Sequence, residues 1–457
     1  MWRIAAITMV LWRGVMFAQS GSPVKLPPLR IIRYEENWQG FQAKPGQFEA
    51  IKNIRLSSKL RLTTGGDIRQ RFEWFRNEEW GLEKPGTDGF HLQRYMIHAE
   101  LRSGRGLRLF TQWKSNLVTG RQDGPRPTDR DQLDVHQAFG EWTGESRFPV
   151  MLRVGRQEVA LGTSRLVSIR EAPNVRLSFD GVRLALPVSG WKVELLALRP
   201  VRTRPDVLDD TPDNRQSLWG VYATSGERAW WGGGWDLYYL GLDRKRARFD
   251  SGTGREQRQS FGVRYNRRKN NWDMDYEGIF QTGTFLDRSI RSWTIGTNTG
   301  YTLEQASMQP RFSVKANITS GDRSPNDRRH GTFNALFPKG NYFSQADVLG
   351  PYNLMDLHPG VSMQLHRAWT ITVDCDLFWR YSRTDGLYDV PGNPAVPGAG
   401  STARFIGHAY KGGLEWKANR YLSFEAEYQR LFSGTFLRQQ GRPNPIDFLA
   451  VWTTIRF

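Results

Sequence analysis

Short runs of alternating apolar and polar residues recur from about residue 61 to the end of the chain. In DIRQRFEWF (67–75), Ile68, Phe72 and Trp74 share one parity, and Asp67, Arg69, Arg71 and Glu73 share the other. In LQRYMIHAELR (92–102), Tyr95, Ile97 and Leu101 alternate with Arg94, His98, Glu100 and Arg102. A period of two belongs to a β-strand whose two faces meet different surroundings. Eighteen such strands are predicted, at about 61–76, 91–103, 107–119, 132–143, 150–162, 175–187, 191–199, 217–226, 233–243, 258–267, 271–282, 290–303, 309–320, 355–366, 369–382, 404–418, 421–433 and 448–457. Connections after odd-numbered strands are long, among them 163–174, 244–257, 283–289, 321–354 and 383–403. Those after even-numbered strands are short, such as 187–190 and 268–270.

An even strand count, short turns at one end and long loops at the other predict an all-β chain: a single antiparallel transmembrane barrel. A propeller would repeat one blade roughly every 40 residues with similar connections, and no such repeat is present. Composition alone leaves the two even. There are 18 Trp, 15 Tyr and 25 Phe against a mean hydropathy of −0.58, which suits one-sided strands with aromatic girdles and also a soluble β protein. No apolar run is long enough for a membrane helix.

The two ends shift the balance. MWRIAAITMVLWRGVMFAQS has Arg3, an apolar stretch from Ile4 to Trp12 and small Ala18, so residues 1–18 are expected to be an export signal. Residues 19–58 are proline-spotted and are expected to form a periplasmic or lumen-associated lead-in, with 59–457 as the barrel. The chain closes on FLAVWTTIRF, with Leu449, Val451, Thr453, Ile455 and Phe457 on one face. A last amphipathic strand ending on an aromatic looks like a barrel-assembly signal, and it makes the assembly machinery an expected partner. Cys375 is the only cysteine, so no disulfide forms within the chain.

RVGRQEVALGTSRLVSIREAPNVR (153–176) followed by SFDGVRL (178–184) resembles the alginate-export family of bacterial outer-membrane barrels. RYEENW (33–38), DIRQRFEWF, LQRYMIHAELR and DQLDVHQAF (131–139) carry the same resemblance, which is dense from Arg33 to Arg183. It implies an outer-membrane channel for an anionic polysaccharide or oligosaccharide of the polyuronate type. Polymer-exporting members carry a long late periplasmic turn that acts as a lid, whereas the corresponding turn here, Asn419–Arg420, is minimal.

With lipid outside, charged strand residues must face the lumen. Parity assigns Arg69, Arg71, Arg94, Arg102, Lys114, Arg153 and Arg183 to the pore as a basic path, with Asp180, Asp273, Asp275, Asp374 and Asp376 as its acidic lining. Parity slips near Gly155 and Gly181, where bulges are expected, and leaves Arg156 unassigned. Arg165, Arg170 and Arg176 lie on the loop after the fifth strand and would enter the passage if that loop tucks inward. Lys315 is also luminal by parity. The formal net charge is +18, yet acids and bases on the inward faces nearly balance. Bases dominate the first six strands and acids the later ones, so a field should cross the lumen.

Three functions compete. The first is passive passage of an anionic saccharide along the arginines. The second is an uptake porin for small anions or oligosaccharides. The third, well behind, is a barrel enzyme: the seven histidines show no metal spacing and no nucleophile signature. No cofactor or metal is expected. Expected partners are the saccharide, outer-membrane lipid and lipopolysaccharide, and periplasmic secretion components, with no nucleic acid.

Overall fold

The computed structural model describes residues 26–44, 46–81, 86–104, 106–144, 149–227, 229–324 and 326–457. The expected export signal, 1–18, lies outside the described residues. Eighteen antiparallel strands form the wall. They are β1 (Leu60–Arg76), β2 (Thr87–Ser103), β3 (Leu107–Thr119), β4 (Asp131–Thr143), β5 (Met151–Gln157), β6 (Phe179–Val188), β7 (Trp191–Arg202), β8 (Gln216–Ser225) and β9 (Gly234–Phe249). They continue as β10 (Gly252–Lys269), β11 (Trp272–Phe285), β12 (Arg288–Thr302), β13 (Arg311–Thr319), β14 (Leu354–His366), β15 (Trp369–Arg380), β16 (Phe405–Lys417), β17 (Leu422–Ser433) and β18 (Ile446–Arg456).

Each strand pairs with the next, and β18 returns to β1 from Asp67↔Arg456 to Arg76↔Asp447. Closure removes the exposed edges that an open sheet of this size would carry. Phe457 adds one more rung, with its N–H donating to the Gly66 carbonyl at 2.9 Å and the Gly66 N–H donating back at 2.9 Å. The Phe457 ring packs 6.0 Å from Phe48. Changing Phe457 to Asp would place a charge on this seam. We expect it to reduce the heat-modifiable, assembled fraction far more than an Asp placed in the 381–404 loop.

The strand pattern holds with two informative departures. Connections expected at 244–257 and 283–289 are tight turns at residues 250–251 and 286–287, because β9, β10, β11 and β12 run on past the apolar band. Beyond the lipid, pairing continues while the demand for apolar outward residues ends, so the alternation fades although the strand does not. The other departure is at β5, which stops at Gln157, and β6, which begins at Phe179. Residues 158–178 leave the wall. The edge of β4 that β5 no longer covers is capped by the loop after β7, with the Gln132 N–H donating to Pro205 O at 3.2 Å and the Leu208 N–H to Leu133 O at 2.9 Å.

The expected bulges at Gly155 and Gly181 are absent: β5 and β6 pair without a break, and the two glycines face each other. Both have positive φ, 130° and 154°. A Cβ would lie 2.3 Å from Ala138 O at Gly155 and 2.1 Å from Ala197 O at Gly181, so only glycine fits. Unbroken register corrects Asp180. It alternates with the inward residues Phe179 and Arg183, so it lies on the opposite face, where its carboxylate takes Arg156 at 2.9 Å. Arg156 is thereby assigned to that face too.

The outward face is apolar, with Ile97 and Leu109 more than half exposed. Near the short-turn end it carries aromatic pairs, Trp272–Tyr301 at 4.8 Å and Trp369–Trp416 at 5.0 Å, as a membrane-interface girdle.

Candidate functional site

The lumen is built around residues 158–178, which fold inward from the end of β5. A chain segment away from any ladder carries backbone groups that need partners, and here arginine forks supply them. Arg94, fully buried, donates from Nε to Asn174 O at 3.0 Å and from Nη2 to the carbonyls of Glu171 and Pro173 at 2.6 and 2.5 Å. Its Nη1 meets the Glu171 carboxylate at 2.8 Å. Arg69 donates to the carbonyls of Glu171 and Pro173 at 3.0 and 3.1 Å. Arg71 holds Gln345 Oε1 at 3.0 Å and lies 4.9 Å from the Trp452 ring. Arg176 bridges Glu158 at 2.7 Å and Glu171 at 3.1 Å. His136 of β4 meets Glu158 at 2.8 Å. Burial alone would raise the Glu171 pKa, yet Arg176, Arg94 and Arg69 hold it well below the usual carboxylate range. Burial pushes Glu158 up to about 7.

A second inward loop, 320–353, meets the first. The Phe337 N–H donates to Leu166 O at 2.8 Å and the Lys339 N–H to Ser164 O at 3.2 Å. Gly340 lies so close to Pro173 that a Cβ would sit 2.5 Å from its ring. Val167, Leu166, Phe333 and Phe337 pack onto inward-facing Leu196, Leu198 and Leu240 of β7 and β9. Those luminal leucines make sense only as the seat of the two loops, which together form a shelf across the barrel.

At the short-turn end a third segment enters. Arg33, Tyr34, Trp38 and Phe41 are buried. Tyr34 packs edge-on to luminal Phe110 and Phe139 at 6.2 and 5.4 Å, and its hydroxyl donates to Glu158 O at 2.8 Å. Arg153 lies 4.0 Å from the Tyr34 ring and pairs with Glu141. Arg183 pairs with Glu194 at 2.5 Å and donates to the Tyr34 hydroxyl at 3.1 Å. Arg102 pairs with Glu100. Lys52 donates to Thr64 O at 2.6 Å, fastening the segment to β1.

These contacts correct the expected arginine path. Arg69, Arg71, Arg94, Arg102, Arg153 and Arg183 do face inward, but they hold protein carbonyls and carboxylates instead of standing free as a ladder. Lys114 is likewise held between Asp131 at 2.5 Å and Asp210 at 2.8 Å. Arg165 does enter the lumen and pairs with Glu277 at 2.9 Å. Arg170 has no ion pair among the described residues and stands half-buried at the turn of the first loop.

Apart from Asp180, the expected acids are luminal but partnered: Asp273 with Arg311 at 2.6 Å and Asp275 with Arg264 at 2.6 Å. Asp374 and Asp376 form one cluster with His358 and the Lys411 ammonium, which lies 2.9 and 3.1 Å from the two carboxylates. A lysine also sits within the other acidic triad, Asp131, Asp134 and Asp210. In each group an ammonium already takes the place a cation would occupy.

What remains available lies beside the shelf. Lys315 of β13 is exposed to the lumen, Lys339 is half-buried on the second loop, and neither has an ion pair among the described residues. The Lys339 ammonium and the Arg165 guanidinium each lie 5.6 Å from the Tyr342 ring. Burial, reinforced by Lys315 and Arg165, lowers the Lys339 pKa to about 8. An ammonium beside an aromatic face, with the Lys315 ammonium near enough to act on it, suits a carboxylate attached to a sugar ring.

The family model described as alginate export matches residues 60–445. The chain belongs to the alginate export family. Among solved structures, this alginate-export barrel is similar to a BenF-like porin from Pseudomonas fluorescens Pf-5, with TM-score 0.59 and 8% identity over 87% of this chain and 98% of the porin. It is also similar to Pseudomonas aeruginosa OccK2 (OpdF) in complex with glucuronate, with TM-score 0.55 and 11% identity over 86% and 98%. Pseudomonas aeruginosa OccK11 (OpdR) follows, with TM-score 0.53 and 11% identity over 86% and 96%. At such identities the likeness concerns the fold. No curated protein matches the sequence. Family and fold together make the chain an outer-membrane channel and imply an outer-membrane location. In this family member the motif RVGRQE…REAPNVR is the anchoring of the inward loop, and RYEENW is the segment at the short-turn mouth. Lys339 and Tyr342 were missed as site residues, although FPKGNYF stands out in the longest loop.

Proposed function

We propose that the barrel passes uronate-type saccharides, from single sugars to short oligomers, across the outer membrane. The observation that carries this reading is a pair of lysines without an ion pair among the described residues, where the two inward loops meet: Lys339, 5.6 Å from the Tyr342 ring, and Lys315, close enough to help lower the Lys339 pKa. A carboxylate would meet the ammonium groups while the sugar ring lies against the tyrosine. Neighbouring Asp275, Asp374 and Asp376 keep the site from holding an anion tightly, and weak binding suits conduction. Each contact is modest, since salt screens charges over about 8 Å at physiological ionic strength.

A second reading, passage of an alginate-like polymer, is favoured by the family match. It would require both loops and the segment around Tyr34 to shift together, because a polymer threads the whole lumen at once. Current block by glucuronate oligomers of increasing length separates the two. Under our reading block saturates at short oligomers and long polymers only obstruct the current. Steady flux of long polymer into a second compartment would favour the polymer.

Titration gives a further check. Lys339, with its pKa lowered to about 8, is charged below that pH and neutral above it. Glucuronate block should therefore weaken as pH rises from neutral through this value. Lys339→Gln should block weakly at neutral pH and lose the pH dependence. An unchanged profile in the variant would remove Lys339 from the path.

A further inference from the structure

The outward face of β9–β12 carries an arrangement that transport does not use. Register sets Tyr239, Phe261, Phe280 and Trp293 side by side in one row, and Leu237, Val263, Gly278 and Ile295 in the next. These rows line an open groove of about 860 Å³. Its floor is shaped by Gly278, where a Cβ would meet nothing within 4 Å.

Towards the long-loop end, the same strands turn polar within two residues. Gln259, Thr282 and Arg291 stand in register directly above the aromatic row, and Gln257, Thr284 and Ser289 above those. The second inward loop brings Arg329 alongside Ser289. Arg291, Arg328 and Arg329 are exposed and have no ion pair among the described residues. Arg255 lies above Gln257 and is tied to Asp243 at 2.7 Å. Arg246 and Arg248, exposed between inward Ala247 and Phe249, extend the positive strip along β9. The remaining acids nearby are Asp287, at the exposed β11–β12 turn, and Asp327.

We propose that this face binds a phosphorylated glycolipid of the outer leaflet, with its acyl chains in the groove and its phosphates on Arg291 and Arg329. The long-loop end is the cell-surface end in barrels of this type, so the polar rows lie at the depth of that leaflet's headgroups. Guanidinium forks match phosphate geometry, and the glutamine and hydroxyl side chains between them offer partners to sugar hydroxyls. A purely apolar belt would hold any lipid. The abrupt junction of an aromatic groove with unpaired arginines selects an anionic, sugar-bearing headgroup.

The test uses the full-length barrel in detergent, with retention of added diphosphoryl lipid A measured by native mass spectrometry against phosphatidylethanolamine. Wild type should retain lipid A in preference. The double variant Arg291→Ser/Arg329→Ser should lose about tenfold in retention, the loss expected of charge-assisted contacts. Gly278→Phe, which fills the groove and leaves every charge in place, should also lower it. Arg268→Ser, an exposed charge at the short-turn end, should leave it unchanged, and heat-modifiable migration confirms that each variant is assembled. Equal retention of the two lipids, or no effect of either site variant, overturns the proposal. A wild-type oligomer that Gly278→Phe dissociates also overturns it, since the groove then belongs to a second copy of the chain.

Discussion

Arg94→Leu should free the 158–178 loop from the wall and raise single-channel conductance several-fold. Arg94 makes four close contacts with that loop, to Asn174 O, Glu171 Oε1, Glu171 O and Pro173 O. Leucine supplies none of them. Removing one partner of a buried charged network costs about 3–5 kcal/mol, and it leaves the loop on weaker ties, chiefly Arg69 and the Asn174 amide, which donates to the carbonyls of Gln93, Leu117 and Asp129. The barrel wall, whose strands pair independently of the loop, should still assemble. The freed loop exposes Arg165, Arg170 and Arg176, so trypsin should cut within 158–178 in the variant and not in wild type. Arg69 and Arg71 would then face water in place of loop carbonyls, and anion preference should rise with conductance. Arg94→Lys should not restore wild-type behaviour, because an ammonium cannot reproduce the planar fork. Unchanged conductance and protease resistance would show that the loop is held elsewhere.

Deleting residues 26–53 should raise conductance as well, with a different signature. This removes Tyr34, which covers Arg153 at 4.0 Å and seals against Phe110 and Phe139. The mouth widens, but Arg108, Arg153 and Arg183 keep their carboxylate partners Glu100, Glu141 and Glu194. Among the described residues, the one remaining charge that loses its carboxylate is Arg420 at the β16–β17 turn, 3.8 Å from Glu49 and outside the narrow part of the lumen. The current should grow while the reversal potential in a salt gradient stays close to wild type. A large shift in selectivity would mean that the deletion disturbs the shelf and not the mouth alone.

How far the sequence carries can be seen residue by residue. Strand count and closure were legible because lipid outside and water inside impose a strict two-residue alternation, as in β1 and β2. The ends of β9 and β10 were not, because beyond the membrane that constraint lapses while backbone pairing continues. Inward placement of Arg69, Arg94 and Arg183 also followed from parity. What they do there did not, since a luminal arginine next to water and one tied to the carbonyls of Glu171 and Pro173 look alike in sequence. The leucines at 196, 198 and 240 were the overlooked sign: apolar residues on an inward face mean that something inside covers them. Asp180 was misplaced because the positive-φ glycines 155 and 181 resembled slips in register.

Under the proposed function Lys315 and Lys339, and not the anchored arginines, select the permeant. Reversal potential in planar bilayers under a salt gradient, measured on wild type and on Lys315→Gln/Lys339→Gln, tests it most directly. Wild type should prefer anions, and the double variant should move to no preference or to cations, because Asp275, Asp374 and Asp376 remain. A wild-type channel that prefers cations, or a double variant indistinguishable from wild type, would contradict it.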